Sequence, residues 1–188
     1  MRLFAAVAIP EAVREELEGA TRALVSAVAG LTPVRLPSLH LTLRFFGEVA
    51  PPGAQELVFR FQGASLTTRR FSVQLGGYGQ FPARGNPRVL FCGFRTGRSD
   101  LEALWREVLD LGAGFGERPP ETDFSPHVTV ARNKSARLSP ENPAFRDFVS
   151  HLDGLSRELD VSGVRLYQSV LQRSGPEHTV LAEARCAP

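Results

Sequence analysis

Apolar positions recur along the chain with two different periods, and the switches between them mark short strands and amphipathic helices. Residues 2–9 place Leu3, Ala5, Val7 and Ile9 at every second position, which predicts a strand. Pro10 stops it and opens a helix over about 11–29, with Val13, Leu17, Leu24 and Val28 on one stripe and Gly30 at its end. An extended connector over 32–38 leads to a strand over roughly 39–46, closed by Gly47. Pro51-Pro52-Gly53 predicts a turn before a helix over about 54–65, with Leu57, Val58 and Phe61 inward. A strand over 71–79 loosens at its glycines, 81–87 is a turn-rich loop, and 88–94 is a strong strand. Ser99 with Glu102 predicts a capping box for a helix running to Gly112 and Gly114, with Leu101, Leu104, Trp105, Val108 and Leu111 as its apolar side. A loop over 117–126 feeds a strand over 127–131. Asn142-Pro143 predicts the cap and first turn of a helix over 143–152, with Phe145, Phe148 and Leu152 inward. Two closing strands, about 158–171 and 178–185, read as a hairpin around Arg173-Ser174-Gly175-Pro176.

Strand 2–9, helix 11–29 and strand 39–46 match strand 88–94, helix 99–112 and strand 127–131 in order. The repeated units also share a motif. His40-Leu41-Thr42-Leu43 and His127-Val128-Thr129-Val130 both read His, apolar, Thr, apolar, and they start 87 positions apart. A strand turns residues i and i+2 to one face, so each motif shows a His beside a Thr and buries the other two. A duplicated α+β unit with a cleft between its halves would set one motif on each wall. Two imidazoles can act as acid and base in one step, and two hydroxyls can hold an oxyanion. A phosphate group suits that set. Regular alternation also aims Arg44 at the cleft. Arg132 has the opposite parity to His127 but stands where the strand ends.

Composition narrows the classes further. A length of 188 residues fits one bilobed domain, 1–188. The formal net charge of +2 argues against nucleic-acid binding by bulk electrostatics. Cys92 and Cys186 are the only cysteines and give neither a disulfide framework nor a zinc spacing, so reduced thiols in the cytoplasm are expected. The apolar run at 2–9 is short and is followed at once by Glu11, Arg14, Glu15 and Glu16, so it does not read as a signal peptide. No run of about 18 apolar residues is present, so no membrane span is expected. Neither a P-loop nor a metal-ligand cluster is apparent, and no metal or cofactor is expected. Phe45, Phe46, Phe81 and Phe124 can stack bases but read mainly as core. Trp105 also reads as core, and His151 and His178 as surface or structural.

The motifs and their flanks resemble the two-histidine (2H) phosphoesterases, and within them the RNA 2′,3′-cyclic phosphodiesterases, also called 2′-5′ RNA ligases. The resemblance rests on Met1-Arg2-Leu3-Phe4-Ala5-Ala6-Val7 with Ile9-Pro10, on residues 40–49, on Pro87-Arg88-Val89-Leu90-Phe91 and on residues 124–132. It implies two antiparallel sheets facing each other across a central cleft with helices outside. It also implies metal-independent hydrolysis of RNA 2′,3′-cyclic phosphate ends, or of nucleoside 2′,3′-cyclic phosphates, to 2′-phosphomonoesters by a monomer. It makes His40 the proton donor and His127 the proton acceptor, an order the residues alone leave open. Thr42 and Thr129 map to phosphate-holding hydroxyls, and Arg132 and Arg44 are further phosphate-binding candidates. The alternatives are 2′-5′ RNA ligation as the main activity, or an RNA-end or nucleotide-binding module without strong catalysis. Ser169, Leu171 and Gly175 fit the family's closing hairpin, but His178 stands where an aromatic ring is usual.

Overall fold

The structure is a computed structural model that describes residues 1–116, 123–172 and 175–188. The expected loop over 117–126 therefore lies partly, and the hairpin turn at 173–174 wholly, outside the described residues. Among the described residues, the chain forms β1 (Arg2–Ala8), α1 (Glu11–Ala27), β2 (Leu31–Pro33), a 3-10 turn (Leu36–Ser38), β3 (His40–Glu48), α2 (Pro51–Gly63), β4 (Ser65–Arg69), β5 (Phe71–Phe81) and β6 (Val89–Phe94). There follow α3 (Arg98–Leu111), β7 (Val128–Asn133), α4 (Pro143–Gly154), β8 (Arg157–Val161), β9 (Gly163–Gln172) and β10 (Gly175–Ala187).

The α+β class holds. The strands run β4-β10-β9-β1-β3-β7-β6-β5-β8, with β2 on β7. The expected two sheets meet at one point, because β3 and β7 are joined only through Leu41 and Val128. One lobe is β4-β10-β9-β1-β3 and the other is β7-β6-β5-β8 with β2. The pairing is antiparallel except between β10 and β4, which run parallel. The helices cross over. α1, which follows the first strand of one lobe, packs on β2, β7 and α4 of the other, while α3 packs on β3, β4 and α2. The core under both lobes includes Leu3, Leu17, Leu24, Leu41, Phe46, Leu57, Leu104, Val128 and Leu166, all almost wholly buried. Removing that apolar surface from water is what closes the lobes over their helices.

Several elements depart from the sequence reading, each for a physical reason. Pro51 and Pro52 form no turn: they are the first turn of α2, where a missing N–H costs nothing. The expected capping box at Ser99 is absent, because α3 is capped by Gly97 in a left-handed conformation and Glu102 pairs with Arg98 at 2.8 Å. Asn142 does cap α4, accepting from the Phe145 N–H at 3.2 Å. The single strand over 158–171 is two strands in two lobes: β8 pairs with β5, β9 pairs with β1 and β10, and the chain crosses at Ser162. β4 and β2 are additional strands.

Candidate active site

The site is built at the junction of the lobes. Leu41 lies directly opposite Val128 in an antiparallel pair, and both are buried. In that register His40 lies opposite Thr129 and Thr42 opposite His127, on the face away from the core. The two histidines and two threonines therefore flank the one point at which the lobes are joined. All four side chains are partly buried.

Each imidazole is held in the same way. His40 Nδ1 lies 2.8 Å from the Ser38 carbonyl oxygen, and His127 Nδ1 lies 2.7 Å from the Ser125 carbonyl oxygen. A carbonyl only accepts, so in each ring Nδ1 carries the hydrogen and Nε2 is left outside that bond. The repeat is thus Ser-x-His-x-Thr-x, although the serine contributes its backbone. Aromatic rings fix the imidazole planes. His40 stacks on Phe4 at 4.7 Å and meets His178 edge-on at 5.4 Å. His127 sits against Phe81 at 5.1 Å and Phe91 at 5.0 Å.

Burial pushes the His40 pKa down to about 4, helped by His178 and by the more distant positive charges of His127 and Arg132, against the Ser38 hydrogen bond. At neutral pH the imidazole of the free protein is therefore neutral. An anionic phosphate placed on it reverses part of that shift.

Arg44 is the one site candidate that the geometry removes. A bulge in β3 at Leu43 breaks the alternation: Ala5 pairs with Arg44 and Ala6 with Thr42. Leu43 and Arg44 are consecutively buried, and Phe45 becomes the exposed, cleft-side residue at 57 % exposure. The Arg44 guanidinium donates to the Leu109 oxygen at 2.7 Å and the Phe115 oxygen at 2.8 Å, closing the C-terminal end of α3, and lies 5.0 Å from the Phe46 ring. The second motif carries the same bulge at Val130, since Leu90 pairs with Ala131 and Phe91 with Thr129. There the slip acts in the same way on different residues. Ala131 takes the buried position and Arg132, five residues after its histidine, comes to the exposed face beside the site. Its charge bears on His40, which places it within electrostatic reach.

Sequence reasoning missed His178, Tyr167 and Phe4. β9 and β10 bring Tyr167 and His178 onto the His40 side, with Tyr167 stacked on Phe4 at 5.1 Å. His178 is thus an imidazole in ring contact with Phe4 and His40, and the one signal for it in the sequence is its place in the closing hairpin. Phe46, Phe124 and Trp105 are core, with Trp105 stacked on Phe124 at 5.2 Å, and His151 is exposed. Among the described residues, no three His, Cys, Asp or Glu side chains converge as metal ligands, and no helix is long and apolar enough to cross a membrane.

Known proteins are similar to this chain over most of its length. The profile of the LigT-like phosphoesterase family matches residues 7–91 and 96–178. An RNA 2′,3′-cyclic phosphodiesterase of Aeropyrum pernix is 37 % identical over 151 residues, covering 80 % of this chain and 83 % of that protein. One of Thermus thermophilus is 36 % identical, covering 96 % and 88 %. Among solved structures, the protein TT0787 of Thermus thermophilus superimposes with a TM-score of 0.75 at 30 % identity over 98 % of this chain and 97 % of that one. Escherichia coli LigT complexed with 3′-AMP does so with a TM-score of 0.73 at 25 % identity over 100 % and 98 %. With the profile spanning both motif-bearing lobes, and relatives of more than 30 % identity covered over most of their length, the chain belongs to the LigT-like, two-histidine phosphoesterases.

Proposed function

We propose that the chain hydrolyses RNA 2′,3′-cyclic phosphate ends, and nucleoside 2′,3′-cyclic phosphates, to 2′-phosphomonoesters. The observation that carries this reading is the patch of two histidines and two threonines on one face, with both Nε2 atoms presented by the same backbone device. His127 is the proton acceptor: its Nε2 takes a proton from water as the water oxygen attacks phosphorus. His40 is the proton donor: its Nε2 protonates the departing 3′ oxygen, leaving a 3′ hydroxyl and a 2′ phosphate. A donor with low proton affinity gives up its proton readily, and the substrate anion supplies the charge that loads it. Thr42, Thr129 and Arg132 hold the non-bridging oxygens as charge develops. Proton exchange with solvent resets the two rings.

Cys92 and Cys186 are free and buried, which fits a reducing, cytoplasmic setting. The test is turnover of a nucleoside 2′,3′-cyclic phosphate by the wild type, His40→Ala and His127→Ala, in buffer with and without EDTA. Loss of turnover in both variants and indifference to EDTA are expected. Full activity in either variant would falsify the reading. Supplying RNA ends in the same assay separates hydrolysis from 2′-5′ joining, because a hydrolase yields no joined product.

A further inference from the structure

A cavity of about 100 Å³ opens beside His40, on the side away from the lobe that carries His127. It exists because β1 places small residues there: Ala6 pairs with Arg165 and Ala8 with His40, and Ala8 lines the space. Arg165 stands two residues before Tyr167 and so shares its cleft-side face. Its Nε donates to a Glu183 carboxylate oxygen at 3.3 Å, and it lies against the Tyr167 hydroxyl. Arg14, on the first turn of α1, lines the same cavity. One of its terminal nitrogens donates to the Leu36 oxygen at 3.4 Å, but its Nε is buried with no hydrogen-bond partner. His178 completes the polar lining.

A buried guanidinium N–H without an acceptor costs about 1–3 kcal/mol, so the Arg14 guanidinium is incompletely satisfied within the protein where the residue lines the cavity. Two guanidinium groups against one carboxylate leave the cavity positive. Its volume leaves room for a tetrahedral oxyanion beside the two arginines. Arginine forks suit such an anion.

We infer that this cavity takes a second phosphate of the substrate, the phosphodiester on the 5′ side of the terminal nucleoside, held by Arg14 and Arg165 while His40 serves the adjacent cyclic phosphate. The inference rests on the proposed function for its choice of substrate. It makes the cavity a length-reading subsite: an oligonucleotide or a 5′-phosphorylated nucleotide fills it, and a bare nucleoside 2′,3′-cyclic phosphate does not.

The experiment measures binding, so that a failure of catalysis is not mistaken for a failure of the subsite. Cytidine 2′-monophosphate and cytidine 2′,5′-bisphosphate are titrated by calorimetry into the wild type, Arg14→Gln and Arg165→Gln, each checked for fold by circular dichroism. The readout is the ratio of the two Kd values. In the wild type the bisphosphate binds about tenfold tighter, and in each variant that advantage falls below about threefold. Arg165→Lys, which keeps the charge without the fork, serves if Arg165→Gln does not fold, and retains part of the advantage. No advantage in the wild type, or an advantage undiminished in both arginine variants, overturns the proposal. Inorganic phosphate is titrated into wild type saturated with the 2′-monophosphate. Saturable, Arg14-dependent binding there, with no 5′-phosphate advantage, assigns the cavity to free anions and also overturns it.

Discussion

His40 meets far more of the protein than His127 does: Phe4 below it, His178 at its edge and the Arg14–Arg165 cavity beside it. Its depressed pKa has consequences in both folding and turnover. The unfolded chain takes up the His40 proton near the ordinary value of 6.5, and the native state only near 4. Between those values the unfolded state binds more protons, so stability falls as pH drops through the window, by about 3 kcal/mol at most from this group, and levels off below it. Thermal unfolding of the wild type and His40→Asn across pH 4–7 checks this, with a shallower slope expected in the variant. Equal slopes would exclude His40 as the source. In turnover, the acid limb of kcat/KM is expected near pH 4, below the usual imidazole range, because kcat/KM titrates the free enzyme. The two arginines of the motifs separate in the same way. Arg44→Met strips two main-chain oxygens of their donor and is expected to cost about 2–4 kcal/mol of stability in denaturant titration, with the folded fraction still active. Arg132→Ala is expected to lower kcat/KM by roughly tenfold to a hundredfold with little change in unfolding midpoint. If the two variants exchange these phenotypes, the roles assigned through the bulges are wrong. Thr42→Val and Thr129→Val should each lose about tenfold to a hundredfold in kcat.

At the scale of elements, the bulge after each motif decides what the alternating pattern could not. The His-x-Thr-x strands are legible because period two holds from His40 to Thr42 and from His127 to Thr129. It fails one residue later, where Leu43 and Val130 are inserted against β1 and β6. Nothing in Leu-Arg-Phe or Val-Ala-Arg announces an extra residue, so alternation alone aims Arg44 at the wrong face and does not fix the position of Arg132. The inward parity also shifts across Ser162, from Leu159 and Val161 to Val164 and Leu166, where β8 and β9 part into different lobes; read as one strand, 158–171 passes over that shift. The helices are legible from their stripes, whereas the start of α3 depends on the left-handed Gly97, a backbone property that Ser99 and Glu102 mask. Gly76 shows how tightly β5 approaches its neighbour, because a Cβ there would fall on the Leu155 carbonyl oxygen. Gly76→Ala is accordingly expected to destabilise by more than about 1 kcal/mol, read from its denaturation midpoint.

Over the whole molecule, two β-α-β units with the same pairing and the same bulge set their histidines diagonally across one junction, while α1 and α3 each pack on the other lobe. That exchange ties the walls together, so the spacing of the site follows from the core and not from the loops. Half-chain repetition makes the cleft legible in the sequence. The surroundings of His40 are not legible there, since Arg14, Arg165, Tyr167 and His178 reach it from distant segments of the chain. The most direct measurement is product analysis on an oligonucleotide ending in a 2′,3′-cyclic phosphate, with wild type, His40→Ala and His127→Ala. The expected result is a 2′-phosphate end and a free 3′ hydroxyl from the wild type, with turnover reduced by about 10² to 10⁴ in each variant. A 3′-phosphate product, or wild-type rates in a variant lacking either histidine, would contradict it.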